Sequence, residues 1–250
     1  MIINSNAQLA KLQRVGKLVA QALAAMQAHA QPGMTTAELD AFGGQLLNQA
    51  GADSAPRHCY NFPGYTCISV NEQAAHGVPG SRVLQKSDLI NIDVSAQLDG
   101  VFADTGGSFV LMPDMNRDTL KLRLCKAALR ARDTGIAAVR VGQRLNKIGR
   151  HIECSIRSSG FRNVRTLCGH GTGAALHEEP AIRNYYDRRD TQALQEGQVI
   201  TIEPFLSTNV GHISPTQDGW TLVGRPSSLF AQFEHTLVVT QDQPLILTLP

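Results

Sequence analysis

Residues 89–111 read LINIDVSAQLDGVFADTGGSFVL, and this stretch decides the fold. Two runs rich in β-branched and other apolar residues flank Asp99-Gly100, a dipeptide typical of two-residue hairpin turns. With that dipeptide as the loop, Asp104 pairs with position 95. Asp93 and Asp104 then lie on the same face as diagonal neighbours, about 7–8 Å apart at the backbone. The stretch therefore predicts an antiparallel hairpin that brings two carboxylates together.

Acidic residues recur further along the chain in a similar setting. An acid in the middle of an apolar strand pattern costs several kcal/mol to bury unpaired, so each one needs a partner charge or an ion. Four such carboxylates carry a charge of −4, which two divalent cations neutralise. The pattern predicts a two-metal hydrolase, and its candidate ligands are Asp93, Asp104, His170, Glu203 and Glu234.

The chain also reads as a degenerate tandem repeat. The run HGVP that begins at His76 matches HEEP at His177, and INID ending at Asp93 matches ITIE ending at Glu203. A pseudo-twofold fold with the halves face to face would collect the four carboxylates at its centre. His76 and His177 would then lie on opposite sides of that centre. His170 has no counterpart in the first half, so the metal pair is predicted to be asymmetric.

Helical periodicity and capping signals predict the scaffold around these strands. Apolar spacing predicts one helix over residues 7–29, and the Thr35/Glu38 capping-box pattern opens another that runs to residue 48. Residues 118–135 and 144–159 are the corresponding helices of the second half. The rest of the chain reads mainly as strands and loops.

Taken together, the motifs resemble those of type I methionine aminopeptidases of the pita-bread fold, along nearly the whole chain. The runs that carry the resemblance are YNFPGY at 60–65, CISVN at 67–71, HGVP at 76–79, GHGTG at 169–173, HEEP at 177–180, DGWT at 218–221 and AQFEHT at 231–236. The resemblance implies an α+β pita-bread fold, with two pseudo-twofold-related αβ halves and a central antiparallel sheet covered by helices. We expect a single catalytic domain over residues 1–250, with halves of roughly 1–112 and 113–250 and no N-terminal extension domain.

Spacing separates this chain from other branches of the resembled superfamily. Type II enzymes carry a helical insertion between their last two glutamate ligands, whereas Glu203 and Glu234 are only 31 residues apart here. Prolidases, aminopeptidases P and creatinases have a separate domain ahead of the catalytic one. Because the first catalytic histidine is predicted at His76, the chain leaves no room for that domain.

The resemblance also implies roles for the site residues. Residues matching Asp93, Asp104 and Glu234 hold one ion in the resembled enzymes. Those that hold the other ion match Asp104, His170, Glu203 and Glu234. The implied mechanism is attack of a metal-bridged hydroxide on the scissile carbonyl, with Glu203 as general base. His177 would stabilise the oxyanion, and His76 would contact the leaving peptide nitrogen. Ligand chemistry allows Mn, Fe, Co or Zn for the two ions.

A narrow apolar slot for methionine is implied as well. Phe62, Cys67 and Trp220, with Cys59 beside them, match the family positions that form it. Leu167 and Leu176 replace aromatic residues common in better-known members, which bears on the range of substrates. The implied activity is removal of the N-terminal methionine from nascent proteins when the second residue is small. The alternatives are a same-fold aminopeptidase of other N-terminal specificity and a non-catalytic pita-bread binding protein.

Composition bears on the compartment and the partners. Five scattered cysteines without a CxxC pair favour reduced thiols, and no stretch approaches the roughly 18 apolar residues that span a bilayer. We therefore expect a cytoplasmic enzyme that does not enter a membrane, and the family habit suggests a monomer. Residues 117–165 hold 13 Lys and Arg against three Asp and Glu. That basic segment is either a solvated helical surface or a weak docking face for the ribosome.

Overall fold

The computed structural model describes residues 1–209 and 211–250. These contain five helices, most of them in the first half of the chain or just after it, and antiparallel strands. The helices are α1 (Asn6–His29), α2 (Thr36–Gln49), α3 (Ala55–Tyr60), α4 (Thr119–Ala137) and α5 (Leu145–Ser159). Four of them are the predicted helices, with ends that differ by at most two residues. The short helix α3 was not predicted, because its six residues offer too little periodicity to recognise.

The strands form four small sheets in the described part of the chain. The first half contributes β1 (Asp53–Ser54), β2 (Cys67–Val70), β3 (Gln73–Ala75), β4 (Leu89–Leu98) and β5 (Val101–Val110). The second half contributes β6 (Arg162–Asn163), β7 (Gly169–Gly171), β8 (Glu178–Ile182), β9 (Val199–Ile202), β10 (Phe205–Ser207), β11 (Ser214–Pro215), β12 (Leu222–Val223), β13 (Phe230–Gln232), β14 (His235–Val238) and β15 (Leu245–Ile246). One sheet has the order β1-β4-β2 with β5 on β4, and a second has the order β15-β14-β9-β7-β8.

The β4–β5 hairpin has the predicted register. Asp99 and Gly100 form its two-residue loop with φ angles of 54° and 80°, as the right-handed twist of a hairpin requires. Asp104 faces Ser95 across the ladder. Asp93 and Asp104 therefore lie on the same face of the hairpin, as expected from the sequence.

Each helix pair covers strands with its apolar side. Helix α1 packs on β4 and β5, and α4 packs on α5 and on strands of the second half. The Thr35/Glu38 capping box that begins α2 is present, which confirms that prediction. Helix α5 buries Leu145, Ile148 and Ile152 while its basic side chains face solvent. In the described residues, no helix combines the length and apolarity that membrane crossing requires.

Two hydrophobic cores lie on the two sides of the molecule. One is built mainly by α1, α2 and β4, and the other by α4, α5 and the strands of the second half. Each core also takes side chains from the opposite half: Val199 and Val238 pack in the first, and Leu89 and Val110 in the second. The division of one domain into halves near residue 112 stays a prediction, but these shared side chains tie the two sides together.

Candidate metal centre and active site

Five candidate ligands converge between the two cores. Asp93 lies on β4, Asp104 on β5 and His170 on β7, whereas Glu203 follows β9 and Glu234 follows β13. Ligand atoms of Asp104, His170 and Glu234 all lie within 4.8 Å of one another. The Nε2 atom of His170 is 3.9 Å from Asp104 Oδ2 and 3.3 Å from Glu203 Oε1. Residues separated by more than 100 positions in the chain thus meet in one cluster.

His170 is held with one ring nitrogen turned toward the acids. Its Nδ1 lies 2.9 Å from the Gly171 carbonyl oxygen, a distance at which Nδ1–H donates and Nε2 is left as the ligand atom. The backbone N–H of His170 donates to Thr201 Oγ1 at 3.0 Å. Burial opposes a charge on the imidazole, but the hydrogen bond and negative charge of Glu203 outweigh it, so the His170 pKa is raised.

The clustered carboxylates disfavour ionisation without a cation. Burial raises the pKa of Asp93 to about 7. Burial first, and then the neighbouring acids, raise the pKa of Asp104 and of Glu234 well above the usual range. Among the described residues, Asp104 Oδ1 and Glu234 Oε1 are buried without any hydrogen-bond donor. Hard oxygen donors with free lone pairs beside one imidazole suit divalent cations, so the residues present fit the predicted metals.

Two side chains orient the second-half acids. Thr201 Oγ1 donates to Glu203 Oε1 at 3.0 Å. Gln232 Nε2 donates to Glu234 Oε2 at 2.9 Å, and the side-chain Oε1 of Gln232 accepts from Asn91 Nδ2 at 2.9 Å. Gly106 makes room for this amide, because a Cβ atom there would overlap the Gln232 side chain. Such supporting contacts fix the direction in which a carboxylate presents its oxygens.

A cavity of about 240 Å³ opens over the acids. Asp93 and Asp104 line it, together with the apolar side chains of Phe62, Cys67 and Trp220. The Phe62 and Trp220 rings meet edge to face, with centroids 5.3 Å apart. Burial, and then the nearby Asp93, raises the pKa of the Cys67 thiol well above its usual range, so the thiol stays neutral. The cavity can therefore hold a slender apolar side chain against the acids.

Two histidines line the same cavity in their neutral form. Burial, and then the charges of His170 and His76, lowers the pKa of His177 to about 4. Burial also lowers the His76 pKa, against the opposing effect of Glu203. The His177 and His170 rings lie 4.3 Å apart between centroids. Burial raises the pKa of Tyr60, whose hydroxyl contacts His177, so the phenol keeps its proton near neutral pH.

Comparison with known proteins agrees with this geometry. Residues 10–241 match metallopeptidase family M24. This chain belongs to that family. It is 45% identical to methionine aminopeptidase 2 of Bacillus subtilis (strain 168), over 99% of both chains. The methionine aminopeptidase structure from Rickettsia prowazekii superposes with a TM-score of 0.93 at 34% identity, and that from Thermotoga maritima with 0.94 at 29%. In both cases all of this chain and all of the other are covered.

Family membership confirms the resemblance to methionine aminopeptidases and the predicted α+β pita-bread fold. It also confirms the prediction that the chain is a hydrolase, because the matched family is one of metallopeptidases. The individual site residues stay predictions, although the structure brings the five acid and imidazole ligands, His76, His177 and the pocket residues Phe62, Cys67 and Trp220 into one place.

Some predicted residues lie apart from the cavity. Cys59 is exposed on α3, and the side chains that this helix presents to the cavity are those of Pro56 and Tyr60. Cys59 is not among the residues that line the cavity, so its role in substrate binding stays a prediction. Leu176 lines the cavity, whereas Leu167 packs in a small separate cluster.

Sequence reasoning overlooked three polar neighbours of the site. Ser95 was recognised only as the partner of Asp104 in the hairpin, yet it lines the cavity. Tyr60 begins the YNFPGY run but was given no role of its own. Gln232 precedes Glu234 by two residues, and strand alternation offers a signal that both side chains share a face.

Proposed function

We propose that this chain is a two-metal aminopeptidase that removes the N-terminal methionine from nascent proteins when the second residue is small. The observation that carries the proposal is the acid cluster with unpaired buried oxygens, two of whose members, Asp93 and Asp104, line a mostly apolar cavity. Relatives of full length that bear the name methionine aminopeptidase support the same reaction.

Asp93, Asp104, His170, Glu203 and Glu234 would hold two divalent ions, with Mn, Fe, Co and Zn all compatible with the donors. When bound, such ions lower the pKa of water and polarise a carbonyl group. Two ions would also offset the four negative charges that burial otherwise disfavours. This explains why the chain tolerates carboxylate oxygens without hydrogen-bond donors.

The chain's own groups would handle protons and orientation. The Oε1 atom of Glu203 already accepts from Thr201, which leaves Oε2 as the oxygen that takes a proton from the attacking water. A neutral His177 can donate a hydrogen bond to the scissile carbonyl oxygen as negative charge develops there. His76, also lining the cavity, would donate to the departing peptide nitrogen.

Specificity would follow from the cavity wall. Phe62, Cys67 and Trp220 provide apolar contacts for an unbranched thioether side chain, and Leu176 narrows the entrance beside His177. A bulky second residue would meet this entrance, so peptides that begin Met-Ala should react faster than those that begin Met-Lys. Trp220 is the only tryptophan, and its fluorescence should report on ligands in the cavity.

The proposed setting is the cytoplasm, with the enzyme acting as a monomer on emerging chains. Residues 117–165 would supply a weak ribosome-docking surface, since Arg157, Arg162 and Arg165 are exposed around a groove of about 470 Å³. This groove is larger than the proposed catalytic cavity, and Glu153 is the one acid among the described residues that line it. Co-sedimentation with ribosomes that weakens as salt rises would support docking, and its absence at low salt would remove this part of the proposal.

The deciding experiment measures free methionine released from Met-Ala-Ser and Met-Lys-Ser. The protein is treated with a chelator and then supplied with manganese or cobalt, and Asp104→Ala serves as the inactive control. We expect metal-dependent cleavage of the first peptide only. Cleavage of Leu-Ala or Xaa-Pro peptides instead would indicate another N-terminal specificity. If no peptide reacts under any metal and bound metal is absent, the chain is a non-catalytic binding protein.

A further inference from the structure

Tyr60 stands at the cavity wall in a fixed position. It is the last residue of α3, and the helix ends there because Asn61 adopts a left-handed conformation with φ 57°. The N–H of Asn61 still donates to Arg57, and the N–H of Phe62 donates to Pro56. These bonds place the Tyr60 hydroxyl 2.7 Å from Nδ1 of His177, with ring centroids 5.6 Å apart.

A neutral imidazole has one N–H and one lone pair, so a partner at one nitrogen determines where the proton sits. The phenol O–H is a better donor than a neutral imidazole N–H, and the imidazole lone pair is a better acceptor than the phenol oxygen. Tyr60 should therefore donate to Nδ1 and leave the proton on Nε2. Among the hydrogen bonds of the described residues, none is made by Nε2 of His177.

We propose that Tyr60 is a positioning residue that holds His177 in the tautomer with its proton on Nε2, where that N–H faces the substrate carbonyl. This inference rests on the proposed function, because His177 must act as a donor for the tautomer to matter. With the other tautomer, Nε2 would present a lone pair to the carbonyl oxygen, and the two would repel each other. Tyr60 acts only through His177 and touches none of the reacting atoms in this account.

A tyrosine suits this position better than a carboxylate would. An acid at Nδ1 would favour a charged imidazole and add a fifth negative group beside the metal ligands. The phenol sets the tautomer while adding no charge. Because Tyr60 is 43% exposed, water can partly replace its hydroxyl, and the expected effect is modest. One such hydrogen bond corresponds to about a 5- to 10-fold change in rate.

The test compares Tyr60→Phe with Tyr186→Phe, which removes the hydroxyl of a tyrosine of similar exposure outside the cavity. We expect kcat for Met-Ala-Ser to fall about 5- to 10-fold in Tyr60→Phe with KM changed less than about twofold. Tyr186→Phe should behave as the wild type. Unchanged melting temperature and zinc content establish that both variants are folded and loaded.

Ring nitrogen shifts measured by NMR on the zinc-loaded, ¹⁵N-histidine-labelled protein read the tautomer directly. The His177 signals are identified by their loss in His177→Gln. We expect an unprotonated Nδ1 in the wild type and a mixture of tautomers in Tyr60→Phe. A wild-type spectrum with the proton on Nδ1, or an unchanged spectrum and kcat in Tyr60→Phe, would overturn the inference. A wild type inactive on every peptide would instead refute the proposed function, whatever the spectrum shows.

Discussion

The two halves deliver their carboxylates to the centre in different ways. In the first half, Asp93 and Asp104 lie on two ten-residue strands joined by a two-residue loop. In the second half, Glu203 and Glu234 lie just beyond strands of four and three residues, at points where the backbone leaves the ladder. Hairpin register places the first pair. The second pair depends on hydrogen bonds from Thr201 and Gln232, each two residues before its acid, and Gln232 is in turn held by Asn91 of the first half. The same chemical group is thus positioned by local geometry on one side and by tertiary contacts on the other.

The largest expected effect tests whether both halves are needed. Asp104→Asn and Glu234→Gln each remove one ligand charge while keeping the side-chain shape. Each substitution is expected to weaken metal binding, so kcat/KM for peptide hydrolysis should fall about 10³-fold. This corresponds to a loss of several kcal/mol of transition-state stabilisation. Steady-state assays and metal analysis measure the change, with Asp99→Asn at the hairpin turn as a control expected to keep full activity. Near-normal activity in only one of the two variants would show that a single half suffices.

A smaller effect should distinguish the second half from the first. Gln232→Leu removes the donor to Glu234 and one of the three acceptors of the Asn91 amide, which keeps Ser108 Oγ and the backbone carbonyl of residue 232. We expect manganese affinity to fall about 10- to 100-fold by calorimetric titration, as for other residues that support metal ligands. Gln27→Leu removes an amide that contacts the Gly107 carbonyl of the hairpin. Its manganese affinity should be normal, and equal losses in the two variants would contradict the special role of Gln232.

The metal-free protein should lose stability as pH rises. The pKa of Asp93 is about 7 in the folded protein and 3.8 for an unperturbed aspartate, as in the unfolded chain. Between these two pH values the native state holds a proton that the unfolded state has released. The stabilisation is present at low pH and is lost as pH rises through about 7. We expect the melting temperature of chelated protein to fall by a few degrees from about pH 5 to about pH 8. Asp93→Asn should show a shallower fall, and an equal slope would exclude this cause.

The smallest effect concerns the hairpin that the first half relies on. Gly100 has φ 80°, and a Cβ atom there would meet no other atom, so Gly100→Ala tests backbone strain alone. We expect a loss of about 1 kcal/mol, or about 2–4 °C in melting temperature, with metal affinity retained. A Cβ atom added at Gly80 would also meet open space, and the backbone of Gly80 does not have a positive φ. Gly80→Ala should leave the melting temperature unchanged, and a similar loss there would argue against strain at the turn.

Predictions from the sequence were most successful where a structure depends on residues close together in the chain. The hairpin register and the capping box of α2 depend on residues a few positions apart, and both predictions are confirmed. The acids of the second half were predicted as ligands from their motifs, but the side chains that support them were not predicted. Thr201 and Gln232 each lie two residues before the acid that they support, a spacing at which alternation places both side chains on one face. Both acids lie past the end of a strand, however, where alternation is not guaranteed to continue.

Cys59 and Tyr60 show the same limit on a smaller scale. Both belong to α3, a helix too short to leave a periodic pattern, so the side chain that enters the cavity could not be chosen from the sequence. Membership in metallopeptidase family M24, the helix pairs and the set of acids follow from the sequence, because each rests on residue type and spacing. Tertiary structure alone decided that the Tyr60 hydroxyl meets His177 and that Asn91 holds the Gln232 amide that supports Glu234. Those contacts join positions far apart in the chain. The Tyr60 contact also depends on which side of the short helix α3 faces the cavity, and no local sequence pattern determines either.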